Sequence, residues 1–524
     1  MSSKKENHER KKTSAKDPEM QVSRPADADA ALEFMNHENT GTITEVDEKK
    51  LVRKIDWRIV PLMWACYCLQ YLDKTLGRSP LIPPFIQIPP NSFLIQLIVN
   101  YANVMGLQED TGITGDQFSQ LALVFYVTYL ALEFPTGYLM QRLPTAKYLG
   151  ANVMLWGAMV ALTAAANNWA ALVTLRVLLG CFEAAVAPAL ILITSMWYKK
   201  SEQPLRVGFW YLGTGTGTIL GALSSFGFQH YTSQSFRSWQ ITFLLFGLIT
   251  IAVGLLVIVF MPDNPMTARG LTHAERVLAI ERVRSNQTGI ENKRFKWHQA
   301  RECLIGDPQT WLLSLITIAS SVPNGAVSSY QGTIIKGFGY TSKEAALLSV
   351  PSGVVSCISI LASCGLGARY DARGPFVIVI LLVGGVLGGG LLAFSTPDNK
   401  GGLLAGNYLT NVIGSSLPLL YSYSAANYAG HTKKVTMNAI LLMSFCLGNI
   451  IGPLTFRDAD KPGYLPAKIA ILVTSALACV LTGILMAYYA WENKRRDKLG
   501  AEHKDNSEFL DMTDRENTDF RYRW

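Results

Sequence analysis

The sequence has no G-x-x-x-x-G-K-[ST] run, which sets aside an ATP-driven machine. It has no H-E-x-x-H and no nucleophile elbow, so a membrane hydrolase is also set aside and no enzyme is expected. Strand-like alternation is missing, which excludes a β-barrel. The first residues are polar and offer no cleavable signal peptide, so the first apolar run must act as its own signal. Charged residues are scarce at 16%, against 49% hydrophobic, and a soluble chain of this length would divide into several cores joined by polar linkers. The eight cysteines are scattered. Cys66 and Cys68 are two apart and face different sides of a helix, and no other pairing suggests a disulfide framework or a zinc site. The net charge of +8 is not gathered on an aromatic-basic patch, so nucleic acid is not an expected partner. No cofactor, metal or obligate protein partner is expected either.

What recurs instead is the long apolar run, and a hydrocarbon core about 30 Å thick needs about 20 apolar residues per helix. The spans are read at 57–75, 118–140, 148–166, 169–197, 207–228 and 239–261, then at 309–330, 343–366, 375–394, 403–428, 435–456 and 466–491. The fold class is therefore all-α integral membrane, with twelve transmembrane helices in two six-helix pseudo-symmetric halves. Residues 1–50 are too polar to bury a core and read as a disordered tail. A short amphipathic stretch near residues 46–55 fits the membrane surface. The first half covers 51–262, a linker 263–307, the second half 308–492, and a charged tail, also expected to be disordered, 493–524.

The loop charges orient this plan. The linker carries Arg269, Arg276, Arg282, Arg284, Lys293, Arg294, Lys296 and Arg301. Arg142 with Lys147, Lys199 with Lys200 and Arg206, Arg369 with Arg373, and Lys433 with Lys434 fall on the same side. That side also holds both tails, so it is expected to be cytoplasmic. The sequon Asn286-Gln287-Thr288 lies in the linker and should be unused.

Ionised residues inside spans are costly and read first as functional. Asp73 and Lys74 end the first run, about 100° apart on a helix, and so serve different partners. Lys74 suits an anionic group on a substrate, and Asp73 suits a proton or an ion pair. The competing reading is a polar helix end with the lysine snorkelling outward. Arg176 and Glu183 lie two turns apart on one face of the fourth span. Arginine stays charged and needs a carboxylate or an anionic substrate. A desolvated Glu183 can take up a proton, although a static pair joining helices is the alternative. Tyr330, Tyr421, Tyr423 and Asn427 are candidate cavity-lining groups. His431 reads as a loop residue. Gly213, Gly217 and Gly221, and Gly448 with Gly452, suit close helix packing. Pro188, Pro351 and Pro453 can kink their spans. Two six-helix halves with a site between them are one known transporter plan.

Several motifs carry a resemblance. They are Tyr71-Leu-Asp-Lys-Thr75, Gly137-Tyr-Leu-Met-Gln-Arg-Leu-Pro144, Arg176-Val-Leu-Leu-Gly-Cys-Phe-Glu183, Asn427-Tyr-Ala-Gly-His-Thr-Lys433 and Gly448-Asn-Ile-Ile-Gly-Pro453. The closing Phe509-Leu-Asp-Met-Thr-Asp514 and Phe520-Arg-Tyr522 belong with them. Over about residues 43–524 the chain resembles the major facilitator superfamily, and within it the fungal allantoate permease group of anion:cation symporters. The resemblance implies proton-coupled uptake of a small organic anion at the plasma membrane, with the proton gradient as energy source. Allantoate, ureidosuccinate, nicotinate, pantothenate and sulfur-containing acids are the substrate class. It also implies that Asp73, Lys74, Arg176 and Glu183 face the centre. The expected substrate contacts are Lys74, Arg176, Tyr71, Tyr330, Tyr421 and Asn427, and the expected proton carriers are Asp73 and Glu183. Gln141 stands where the wider superfamily usually has an acid, as is common in this group. A nutrient sensor of the same fold is the alternative.

Residues 77–99 break the likeness. They hold Pro80, Pro83, Pro84, Pro89 and Pro90, and each interior proline costs a helix about 3 kcal/mol. Removing them restores Asp-Lys-Thr-Leu-Asn-Tyr-Ala, as the family reads. We expect a retained intron: sequencing the mature transcript should find a dominant message without these codons, and a dominant message that keeps them would refute it. A translated insert should leave the chain unable to transport.

Overall fold

The computed structural model describes residues 47–75, 115–228, 238–284, 286, 295–340, 342–396, 398–455, 464–499 and 511–524. The insert at 77–99 and most of the first tail lie outside that set. Among the described residues the chain is helical and the helices group into twelve spans. The first six are Glu48–Thr75, Gly115–Arg142, Thr145–Thr163, the pair Trp169–Glu183 and Val186–Trp197, the pair Gln203–Tyr211 and Gly213–Phe228, and Ser238–Phe260. The second six are Pro308–Gly337, Ser342–Arg369, the run Gly374–Ile380 to Gly389–Phe394, the run Lys400–Thr410 to Ser416–Asn427, His431–Leu454 and Leu465–Leu499. Seven of these are long and apolar enough by themselves to cross a bilayer.

Local chemistry sets several ends. Asn168 caps the fourth span, its side chain accepting from Ala171 N at 2.8 Å, and Asn399 caps the tenth through Gly402 N at 2.9 Å. The fourth span breaks at Ala184 and Ala185, four and three residues before Pro188. A proline ring clashes with the carbonyl four residues back and removes a donor, which accounts for the break. The linker helix His273–Arg284 begins with a reciprocal cap between Thr272 and Glu275. Glu275 also pairs with Lys54 at 2.7 Å, and Arg282 joins Glu48 and Glu202 at 2.8 Å each. The linker is thereby stapled across the ends of the first half. Asn286 is spent on the same staple: its amide accepts from Lys200 N and donates to Tyr198 O.

The two halves repeat one packing scheme. In the first, Gly213 and Gly217 press the fifth span onto the first; a Cβ at Gly213 would lie 2.5 Å from Cys68 N. In the second, Gly448 and Gly452 press the eleventh span onto the seventh, where a Cβ at Gly452 would lie 2.3 Å from Val322 O. Gly150, Gly157, Gly247 and Gly254 join the third and sixth spans, and Gly385 and Gly389 join the ninth to the twelfth. Without a hydrophobic drive between helices in lipid, such close backbone approach supplies the attraction. The third, sixth, ninth and twelfth spans turn Leu162, Leu248, Val259, Leu387 and Val480 outward, as a bilayer requires.

The halves meet on the linker side. Gly137 of the second span abuts Val435 of the eleventh, and Gln141 Nε2 donates to Thr432 Oγ1 at 3.1 Å. Gly208 and Gly215 of the fifth span abut Cys364, Cys357 and Gly353 of the eighth. One expectation fails: residues 511–524 are not a loose tail but pack against the ends of the second half. Their backbone carbonyls find a buried guanidinium, Arg496, which pattern reading does not register. Gly157→Leu should cost at least about 1–3 kcal/mol by overpacking the third and sixth spans. A lower melting temperature and aggregation in size-exclusion chromatography should follow, whereas lipid-facing Leu162→Ala should behave as wild type.

Candidate functional site

The fourth span carries Arg176 and Glu183 into the interior, where both are buried, at 2% and 0% exposure. Arg176 lies over the ring of Phe243, 5.9 Å from its centroid. Glu183 sits at the last turn before the Pro188 break. A second buried carboxyl, Glu133 of the second span, is also fully enclosed. Glu133, Glu183, Tyr421 and Cys446 all lie within electrostatic reach of Tyr129. The second, fourth, tenth and eleventh spans therefore converge on one interior site. Sequence reasoning passed over Glu133, although a lone acid in an apolar run was the available signal.

An aromatic cluster closes the site toward the linker. Tyr67 meets Trp210 and Tyr211 at 4.9 Å each, and Tyr421 stacks on Trp210 at 6.0 Å and meets Tyr211 at 6.2 Å. All four rings are buried. They join the first and fifth spans of one half to the tenth of the other. Tyr71, half-buried, lies one turn on and touches the Gly217 position. Asp73 and Lys74 belong to the last turn of the first helix, and Tyr330 belongs to the seventh span; their side chains are outside the described set.

Other candidates stand elsewhere. Asn427 faces the linker side, where its amide donates to Arg523 O at 3.0 Å and accepts from Arg523 N at 2.7 Å. Tyr423 stacks on Tyr489 at 5.7 Å, away from Tyr421's cluster. His431 opens the eleventh helix and is buried, with its backbone N–H donating to Asp511. Beside it the Lys433 ammonium lies 2.8 Å from Glu302, 2.7 Å from Asp307 and 2.8 Å from Asp514. Those three carboxylates have the spacing of a metal site, but the ammonium stands among them as the counter-ion.

This arrangement defines a class: an integral membrane protein of two six-helix halves that enclose ionisable side chains. The description of the Major Facilitator Superfamily matches residues 64–453. The thiamine pathway transporter THI73 of Saccharomyces cerevisiae is 35% identical over 95% of this chain and 94% of its own length. The allantoate permease of the same yeast is 34% identical over 94% and 90%. The proton:xylose symporter XylE superposes with a TM-score of 0.65 at 12% identity, over 83% of this chain and 96% of that one. The chain belongs to the Major Facilitator Superfamily and falls with the allantoate permease group; it is a transporter and not an enzyme.

Burial raises the Asp307 carboxyl above its usual range, against the lowering influence of Lys433. A carboxyl that holds its proton more tightly when folded loses stability as pH rises through that range. Removing Lys433 takes away the counter-charge and deepens the effect. Lys433→Ala should lose about 3–5 kcal/mol at alkaline pH, and less at pH 5, where the carboxyls can protonate. Thermal unfolding of purified protein at the two pH values checks this, and equal deficits would count against it.

Proposed function

We propose that the protein is a plasma-membrane symporter that takes up a small organic anion with protons by alternating access, both termini being cytoplasmic. The observation that carries this reading is the buried Arg176, with Glu183 two turns away and Glu133 enclosed nearby. A permanent guanidinium in a low-dielectric interior favours an anion. The two enclosed carboxyls are the proton sites in this reading. Lys74, Arg176, Tyr71, Tyr330 and Tyr421 form the anion contacts in this reading. Asp73, Glu183 and Glu133 are the proton carriers. Protonation neutralises the interior and lowers the cost of reorienting the loaded carrier.

The named activity of the allantoate permease supports an allantoate-like carboxylate. Nicotinate and pantothenate share its chemistry, a small body with one carboxylate, and ureidosuccinate is a small acid of the same kind with a second carboxylate.

The test is uptake of labelled allantoate, nicotinate, pantothenate and dipeptides by cells expressing the chain with and without residues 77–99. Only the shorter form should transport, and an uncoupler should abolish accumulation of an acid. Uptake untouched by the uncoupler would remove proton coupling. Lys74→Ala should lose anion uptake while reaching the membrane normally. Glu183→Gln should lose uphill accumulation at least tenfold.

A further inference from the structure

The segment 511–524 has no part in the interior site, yet its side chains Asp511, Thr513, Asp514, Asn517, Phe520 and Tyr522 are buried. Most of its hold is on the second half. Arg496 Nη1 donates to the carbonyls of Asp514, Asn517 and Phe520 at 2.9, 3.2 and 2.9 Å. Asn493 and Asn427 each grip a single residue's backbone, at Tyr522 and Arg523, by paired hydrogen bonds. Tyr522 stacks on Tyr489 at 5.0 Å with rings 6° from parallel, and its hydroxyl donates to Asp514 at 2.7 Å. The strap is thus a fixed part of that half.

The strap reaches the other half at Lys200. The ammonium of Lys200, between the fourth and fifth spans, sits 3.8 Å above the Phe520 ring. Arg373 reinforces the junction: its guanidinium donates to Lys200 O, and its backbone N–H donates to Trp524 O. Lys200 is buried, and burial with the nearby Lys434, Arg523 and Arg373 pushes its pKa well below the usual range. A charge there is costly, and the ring face offsets part of that cost.

We propose that the strap 511–524 is a latch carried by the second half, whose Phe520 catches Lys200 and holds the linker-side face closed. Opening that face requires the halves to part at Gly137–Val435 and Gly208–Cys364, and the Lys200–Phe520 contact lies across the same parting. The strap thereby sets the population of the linker-side-open state, whatever the substrate and whether or not protons are coupled.

Cys364 reports the state, because it is buried where the eighth span meets Gly208 of the other half. A maleimide reaches it only when the halves part, so its alkylation rate follows the open population. The experiment alkylates the purified full chain and reads Cys364 by peptide mass spectrometry. Phe520→Leu keeps the apolar bulk and removes the ring; it should raise the rate about fivefold or more, the scale of a desolvated cation–π contact. Lys200→Met should do the same, and the double variant should do no more than either single one. Phe520→Tyr, which keeps a ring face, should stay near wild type and shows that the position tolerates change. Rates for Phe520→Leu and Lys200→Met within twofold of wild type, or fully multiplicative effects in the double variant, would overturn the latch.

Discussion

An ionised side chain costs energy wherever hydrocarbon replaces water, and that cost sorts this molecule. The outward faces of the third, sixth, ninth and twelfth spans carry leucine, isoleucine and valine. Arg176, Glu183 and Glu133 occur only where other helices enclose them. At the linker side the charges return, and there they are arranged in networks. Lys433 among three carboxylates and Arg496 among three carbonyls are both buried, and both are saturated with partners. A charge so held is a fixed element of structure.

The same sorting separates rigid from mobile contacts. Glycine pairs bring the first and fifth spans together and likewise the seventh and eleventh. They act within each half at backbone distance, where little can slide. Contacts between halves are more mixed: side chain against small residue at Gly137 and Gly208, backbone against backbone at Gly215 and Gly353, rings of Trp210 and Tyr211 against Tyr421, an amide to a hydroxyl, the Arg373 guanidinium to Lys200 O, and a ring beneath an ammonium. A rearrangement that moves one half against the other has to break these contacts and can leave those within each half intact.

Spans and halves were legible in the sequence because hydrocarbon thickness fixes helix length. Each of the twelve runs has its helix, most with ends shifted by a few residues, though the first begins at Glu48 and not Trp57 and the last runs on to Leu499. The Asn427 amide shows where this legibility stops. Asparagine in an apolar span reads as a cavity residue, but its position at the helix end puts it beside a distant segment that pattern cannot place. The closing strap failed for the same reason. Its charges, Asp511, Asp514 and Arg521 among them, look like a solvated tail until Lys433 and Arg496 supply their complements from elsewhere in the chain. Glu133 was legible by the same physics as Asp73, an acid within an apolar run.

The linker-side closure has two layers, and their chemistry differs. The inner layer is the cluster of Tyr67, Trp210, Tyr211 and Tyr421, directly below the charged interior. In the proposed reading Tyr421 of this layer contacts the anion, which would let the layer respond to a ligand. The outer layer is the Lys200–Phe520 contact with the Arg373 junction, which no ligand in the interior can touch. Coupling between the layers runs through the tenth span. Tyr421 enters the inner layer from it, while Ser422, the next residue, accepts from Arg373 Nε at 3.0 Å. Adjacent residues of one helix thus belong to both layers, and a shift of that helix that parts the rings must also strain the outer junction.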